Sequence, residues 1–353
     1  MIIDTHHHWI PKKHFETFEK YVTRPGESVT RDKQGGAHLW RNGLHLTGPT
    51  PLFYEMDRHL QDMDAAGIDM AVLQLPSWSE WNTVRLAPYI NNCCAEIVAR
   101  YPKRFVGLAH VPMEGKAAFK ELERAVRELG LCGVGISTHF RGRSLDSERH
   151  YGFWEKAAEL DIPVVIAPFS YPEETDPFWG FDIVFSYARL ENVQRAMVRL
   201  IYGTLLDRFP TVKLLVPHLG AGYFGYMGRV APSFAHYYRG DVDITELDRI
   251  EQQKARQIES HLSQLFFESA PPHWRPVEFK CAFDTYGEDK IVLGTDYPVG
   301  PNFLGPSVDL IQRADISQQA KQKILGENAA RLFGIPGYID ITTSRDPGRS
   351  LAE

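Results

Sequence analysis

The feature that most constrains the fold of this chain is an alternation of short apolar runs with longer amphipathic segments. Runs rich in β-branched residues predict strands, and apolar residues repeating at three- and four-residue steps predict helices. Strands that alternate with helices build a parallel sheet, and eight such units are typical of a closed (β/α)8, or TIM, barrel. Strands are predicted at 2–5, 70–75, 105–109, 133–137, 164–166, 212–216, 265–268 and 291–294, and clear helices at 88–101, 116–129 and 152–160.

The length of the chain is compatible with one such barrel. It has 353 residues, and barrels run past about 250 residues as a single domain. We therefore predict one catalytic domain over residues 1–339 and a C-terminal tail over 340–353. Residues 11–51 lack sustained periodicity and are predicted to form a long insertion after the first strand. Long insertions in compact domains usually serve function.

Composition and charge exclude several classes of partner. The net charge of −6, without a dense run of lysine and arginine, disfavours nucleic acid binding. No stretch approaches the ~18 apolar residues of a membrane span, and the first residues do not resemble a secretory signal. Four cysteines without CxxC spacing disfavour a disulfide framework and a cysteine zinc site. These features predict a cytoplasmic protein.

Consecutive histidines lie where the first predicted strand ends, at His6, His7 and His8. Side chains alternate along a strand, so His6 and His8 are expected on one side and His7 on the other. Imidazole is the commonest side-chain ligand of zinc and related cations, and barrels place active sites at the carboxyl ends of their strands. An exposed polar terminus or a tag remnant is the alternative, but the apolar strand start before the histidines favours a metal site.

Two further strands carry a chemically active side chain at their ends. His218 follows the sixth predicted strand and precedes a glycine-bearing turn, in the position of a general acid or base. Asp296 follows the eighth strand, which closes beside the first, so its carboxylate is expected near His6 and His8. Taken singly, a structural histidine and a helix-capping aspartate are the alternatives. Together, a carboxylate beside two imidazoles can bind a metal or take a proton.

Several motifs jointly resemble one enzyme family. They are DTHHH at 4–8, YPKRFVG at 101–107, GVGI at 133–136, PHLG at 217–220, LGTDYP at 293–298 and NAARLF at 328–333. In this order they are similar to the amidohydrolase-related group that includes aminocarboxymuconate semialdehyde decarboxylase and γ-resorcylate decarboxylase. The resemblance implies a (β/α)8 barrel that holds one divalent metal in many members. It also implies that His6, His8 and Asp296 are metal ligands and that His218 is the catalytic histidine.

The end of the fifth predicted strand departs from this family pattern. The family has a ligand histidine before a proline there, whereas this chain has Ala167. An alanine cannot bind a metal, so affinity should fall unless His139, Glu173 or Glu174 supplies a substitute ligand. For His139 a purely structural role is an equal alternative. Three outcomes stay open: one divalent metal, zinc or manganese, with a replacement ligand or water; a metal bound only with substrate; or a metal-free site.

Candidate substrate contacts come from the insertion and from aromatic residues. Arg41 is predicted to clamp a substrate carboxylate, because guanidinium binds carboxylates in a bidentate manner, and a surface arginine is the alternative. Ligand pockets are mostly apolar and aromatic. The aromatic residues expected to wall a pocket for a planar ring are Trp9, Trp78, Phe169 and Trp179. For each of them, core or lid packing is the alternative.

The family resemblance implies non-oxidative decarboxylation of an aromatic or unsaturated carboxylic acid. In that scheme His218 or Asp296 protonates the ring carbon, and a metal orients the substrate and stabilises developing negative charge. Hydrolysis of a lactone or amide, or hydration of a double bond, is the alternative within enzymes. A non-catalytic binding protein is a third alternative, which the retained histidines and aspartate disfavour. The resemblance also implies a homodimer.

Overall fold

The structure is a computed structural model that describes residues 1–20, 22, 25–76, 83–168, 184–227, 230 and 246–335. Its strands, in chain order, are β1 Ile3–His8, β2 Glu27–Arg31, β3 Ala37–Arg41, β4 Leu44–Thr47, β5 Met70–Gln74, β6 Phe105–His110, β7 Gly133–Ser137, β8 His139–Phe140, β9 Arg143–Ser144, β10 Val164–Ala167, β11 Leu214–Val216, β12 Leu265–Glu268 and β13 Ile291–Val292. Each of the eight predicted barrel strands is present, with bounds that shift by up to three residues.

The predicted barrel is confirmed by the pairing of these strands. A sheet of eight strands runs in the order β1-β5-β6-β7-β10-β11-β12-β13, and neighbouring strands within it pair in parallel. The last strand returns to the first through backbone hydrogen bonds, of which Thr5 N to Leu293 O is 2.9 Å and Asp296 N to His6 O is 2.9 Å. The chemical groups at the ends of β1 and β13 are therefore adjacent.

Helices alternate with the barrel strands. The helices are α1 Lys12–Glu16, α2 Met56–Ala66, α3 Ala87–Arg100, α4 Lys116–Arg127, α5 Tyr151–Glu159, α6 Arg189–Tyr202, α7 Leu205–Arg208, α8 Leu247–Leu262, α9 Pro276–Tyr286, α10 Leu304–Arg313, α11 Gln318–Gln322 and α12 Asn328–Phe333. The predicted helices at 88–101, 116–129 and 152–160 are confirmed as α3, α4 and α5 with ends moved by one or two residues. None of the helices in the described part of the chain has the length and hydropathy that a membrane span requires.

The apolar core has two main parts. The larger part lies between the barrel wall and the helices, and a smaller part fills the barrel interior. Side chains of α12, including Leu332 and Phe333, belong to the same cluster as Ile3 and Phe266, which stand near the starts of their strands. This packing closes the amino end of the barrel, so the carboxyl end remains for a site.

The insertion is more regular than its sequence predicted. Within residues 11–51, β2, β3 and β4 form an antiparallel three-stranded sheet. Asn42 and Gly43 connect β3 to β4 with φ of 52° and 82°, which is the left-handed geometry of an Asn-Gly hairpin turn. The Asn-Gly pair of this turn, rather than any periodicity, is the sequence signal for regular structure within the insertion. The predicted tail, 340–353, lies outside the described residues, so the domain boundary at 339 stays a prediction.

Candidate active site

The carboxyl end of β1 brings two histidines together. His6 and His8 are 1% and 4% exposed, and their Nε2 atoms are 3.0 Å apart. His7 turns to the other side, where its Nδ1 lies 2.9 Å from Asp4 Oδ2 and its Nε2 lies 3.0 Å from His59 Nδ1. The sequence predicted this division. The pairing of β1 with β5 shifts register between Asp4 and His7, so the strand is irregular at the site.

Asp296, which follows the last barrel strand β13, lies beside these two histidines of the first strand. Its Oδ1 lies 3.1 Å from His8 Nε2 and 3.4 Å from His6 Nε2. The residue has φ of 62°, a left-handed conformation that is unfavourable for a residue with a Cβ. The turn is held by Thr295, which donates from N and Oγ1 to the buried carboxylate of Asp4 at 3.1 and 2.6 Å. Asp4 thus positions Asp296 without belonging to the donor group.

His218 begins a left-handed turn directly after β11 and Pro217. The five residues from 218 to 222 all have positive φ, between 47° and 81°, although each non-glycine residue in such a turn costs roughly 1–2 kcal/mol. The ring of His218 stacks on that of His6 with centroids 5.5 Å apart. Its Nδ1 donates to the carbonyl oxygen of Ala270 at 2.9 Å. This bond leaves Nε2 as the ring atom for proton transfer to or from a ligand.

Glu268 is a site residue that sequence reasoning missed. It is the last residue of β12 and is 2% exposed. Its Oε1 lies 3.0 Å from His6 Nδ1 and 2.5 Å from the backbone nitrogen of His218. The available signal was a charged residue at the end of an otherwise apolar strand, which is the rule that located Asp296. The apolar pattern identifies Glu268 only as the last residue of the predicted strand at 265–268.

The electrostatics of the site favour a positive charge between the carboxylates. Burial disfavours the charged form of His6, but Glu268 and Asp296 outweigh it and raise the pKa of this imidazole to about 9. Burial also opposes ionisation of Asp296, yet His6 and His8 hold its pKa well below the usual range. For His8 burial dominates and lowers the pKa. The space bounded by these groups therefore attracts a proton or a metal ion.

The donor atoms of His6, His8 and Asp296 fit a cation. They lie within 4.8 Å of one another, and their separations of 3.0, 3.1 and 3.4 Å match the roughly 3.3 Å between ligands bound tetrahedrally at ~2.0–2.1 Å. A second group, His6, His218 and Glu268, also meets this distance criterion. Among the described residues, neither group contains His139, whose Nδ1 is 3.0 Å from Thr138 Oγ1. A ligand role for His139 therefore has no support from this geometry.

Ala167 stands where the sequence placed it, as the last residue of β10, paired with Ser137 of β7. Its side chain is a buried methyl group, which offers no donor atom to a metal. The other proposed substitutes, Glu173 and Glu174, lie outside the described residues. A complete first coordination shell would therefore need a ligand beyond His6, His8 and Asp296.

The predicted substrate contacts separate into three cases. Arg41 lies on β3 with its side chain 16% exposed, and its Nε is 4.0 Å from Glu27 Oε1. Trp9 is 1% exposed and lines a cavity of about 410 Å³ with Tyr54 and Tyr89. The predicted aromatic contacts at 78, 169 and 179 lie outside the described residues. Contact of Arg41 and Trp9 with a substrate stays a prediction.

A second arginine, Arg189, was not singled out in the sequence. It is the first residue of α6 and donates from Nη2 to the carbonyl oxygen of Leu46 on β4 at 2.8 Å. Burial lowers the pKa of its guanidinium to about 10, although the Asp296 carboxylate attracts its charge. Arg189 is thus a protonated cation at neutral pH that interacts electrostatically with Asp296.

The sequence profile of a family described as amidohydrolase matches residues 3–335. The chain belongs to the amidohydrolase family. Among characterised relatives, this amidohydrolase is 24% identical over 342 residues to 2-amino-3-carboxymuconate-6-semialdehyde decarboxylase of Dictyostelium discoideum, covering 94% of the chain and 91% of the relative. It is 27% identical to a γ-resorcylate decarboxylase of Polaromonas, covering 78% and 86%. The 2-keto-4-carboxy-3-hexenedioate hydratase of Sphingobium is 23% identical, covering 94% and 96%.

Solved structures show the same fold. The 5-carboxyvanillate decarboxylase of Sphingomonas paucimobilis superposes with a TM-score of 0.77 at 19% identity, covering 94% of this amidohydrolase and 98% of the other chain. A dihydroxybenzoic acid decarboxylase of Polaromonas, which contains manganese and the inhibitor 2-nitroresorcinol, has a TM-score of 0.73 at 22% identity, covering 94% and 96%. The family expected from the sequence motifs is confirmed.

Proposed function

We propose that this amidohydrolase is a non-oxidative decarboxylase of an aromatic or unsaturated carboxylic acid. The observation that carries the proposal is the position of His218 beside the donor group of His6, His8 and Asp296, with centroids of the His218 and His6 rings 5.5 Å apart. Decarboxylases among the relatives support the reaction class. The hydratase relative supports water addition as the second candidate. Carbon dioxide release separates the two, because only decarboxylation shortens the substrate by one carbon.

The geometry of His218 supports its proposed role as the proton donor. Because Nδ1 donates to Ala270 O, a protonated His218 presents its second N–H at Nε2. In the proposed step, Nε2 gives this proton to the carbon that bears the carboxylate. The bond from that carbon to the carboxylate then breaks, carbon dioxide leaves, and the electron pair of the broken bond restores the unsaturated system. Solvent returns the proton to His218.

We further propose that His6, His8 and Asp296 hold one divalent ion, manganese or zinc. Such an ion would orient the substrate and stabilise negative charge that develops on its oxygen atoms. A substrate oxygen or water would complete the ligands where Ala167 offers none. Metal analysis of protein purified without chelator tests this assignment, and the expected content is close to one ion per chain. Active protein without metal would contradict it.

Arg189 is the cation that we assign to the substrate carboxylate. Arg189→Gln is expected to raise KM about 10- to 100-fold with a smaller change in kcat, because a hydrogen bond to a charged group contributes about 1.5–3 kcal/mol. Steady-state kinetics on the best substrate measures this effect. Arg41→Gln is the comparison variant, because Arg41 is the clamp predicted from the sequence, whereas its Nε lies 4.0 Å from Glu27 Oε1 within the insertion sheet. A larger rise in KM for Arg41→Gln would assign the carboxylate to Arg41 instead.

A further inference from the structure

The carboxylate of Glu268 contacts both the proposed metal ligand His6 and the proposed proton donor His218. Its Oε1 accepts from His6 Nδ1 at 3.0 Å and from the backbone nitrogen of His218 at 2.5 Å. Its Oε2 accepts from the backbone nitrogen of Ala270 at 2.6 Å. We propose that Glu268 is a positioning residue that simultaneously orients the metal ligand His6 and the proton donor His218. The proposal rests on the function assigned above.

The bond to His6 determines which ring nitrogen faces the metal position. A carboxylate only accepts hydrogen bonds, so His6 Nδ1 carries a proton in either charge state of the ring. In the neutral ring that a metal ligand requires, Nε2 is then the nitrogen with the lone pair, and it faces His8. Outer partners of this kind fix the tautomer and orientation of ligand histidines. Glu268 is the last residue of β12 and pairs with Val292 of β13, so the barrel sheet fixes the position of its backbone.

The hydrogen bonds from the backbone nitrogens of His218 and Ala270 to Glu268 fix the position of the proposed proton donor His218. His218 has φ of 56° at the start of its left-handed turn, and an external acceptor for its backbone N–H helps to hold this unfavourable conformation. Ala270 donates to Glu268 through its nitrogen and accepts from His218 Nδ1 through its oxygen. The carboxylate therefore holds both the backbone of His218 and the group that orients its ring.

Gly294, just beyond the end of β13, makes room for this arrangement. A Cβ added at Gly294 would collide with Glu268 Oε2. Gly294 does not have a positive φ, so its backbone conformation is accessible to alanine. An alanine side chain at this position would instead clash with Glu268. Gly294→Ala consequently displaces the carboxylate without removing its charge.

The test is Mn²⁺ affinity, measured by competition with a fluorescent chelator, for the wild type, Glu268→Gln and Gly294→Ala. Glutamine has one acceptor oxygen, so it cannot accept both from His6 and His218, which share Oε1, and from Ala270, which binds Oε2. Both variants are expected to bind Mn²⁺ about 10- to 100-fold more weakly, the usual effect of losing an outer partner. After saturation with Mn²⁺, kcat should remain low while KM is little changed.

Glu121→Gln is the matched control. Glu121 is also a buried glutamate, 8% exposed, and it accepts from Asn91 Nδ2 at 2.8 Å and from Arg124 on α4. It should keep wild-type Mn²⁺ affinity and kcat. Wild-type affinity in Glu268→Gln, or an equal loss in Glu121→Gln, would overturn the proposal while leaving the metal centre intact. If neither Glu268→Gln nor Gly294→Ala folds, the role of Glu268 is structural and the proposal is likewise overturned. A wild type that binds no Mn²⁺ would overturn the metal centre itself.

Discussion

His218→Asn is expected to lower kcat by about 10²- to 10⁴-fold, the range that a positioned general acid contributes. Asparagine can still donate a hydrogen bond near Ala270 O, but it cannot deliver a proton to carbon at neutral pH. The expected loss therefore lies in kcat, with KM and Mn²⁺ affinity close to wild type. Single-turnover assays on metal-loaded protein measure the chemical step directly.

The control for this variant is His14→Asn. His14 is a buried histidine of the insertion, 2% exposed, on α1, where its ring lies against Phe18, and it belongs to neither donor group of the site. The control variant is expected to lose some stability and to retain wild-type kcat once folded. Undiminished turnover by folded His218→Asn would remove the proton donor from the proposed mechanism.

Asp296→Asn is expected to remove most of the bound metal and with it most of the turnover. The substitution takes away the one carboxylate of the donor group and leaves two imidazoles at 3.0 Å. The drop in affinity should exceed the about 10- to 100-fold loss that follows removal of an outer partner. Elemental analysis after dialysis, together with turnover at rising Mn²⁺, measures both effects.

Excess Mn²⁺ provides the internal control for Asp296→Asn. If the carboxylate acts only as a ligand, saturating metal should restore part of kcat. Chelation of the wild type should likewise abolish turnover, and added Mn²⁺ should restore it. Full activity of either metal-free protein would assign the chemistry to the side chains alone, which is one of the outcomes that Ala167 left open in the sequence.

The residues predicted from the sequence share a physical basis. His6 and His8 lie at the end of a barrel strand, and His218 and Asp296 follow one. Barrel topology brings the carboxyl ends of all strands to one mouth. Adjacency of the first and last strands therefore placed Asp296 correctly beside the two histidines. Strand order alone determines this adjacency, without the details of side-chain packing.

Other features depend on contacts that no local pattern contains. Glu268 was missed because its role arises from donors on β1 and after β11, far away in the sequence. Arg189 was missed because its partner, the carbonyl of Leu46, belongs to the insertion sheet. The left-handed backbone of His218 and Asp296 was equally hidden, since neither residue type predicts positive φ strongly.

Carbon dioxide release by the purified protein loaded with Mn²⁺ tests the proposed reaction most directly. The substrates are 2,6-dihydroxybenzoate and 5-carboxyvanillate, with 2-keto-4-carboxy-3-hexenedioate and a lactone for the competing reactions. The expected result is one carbon dioxide per product molecule from at least one aromatic acid, with little turnover by His218→Asn. Water addition or lactone opening with every carboxylate retained would contradict the assignment as a decarboxylase.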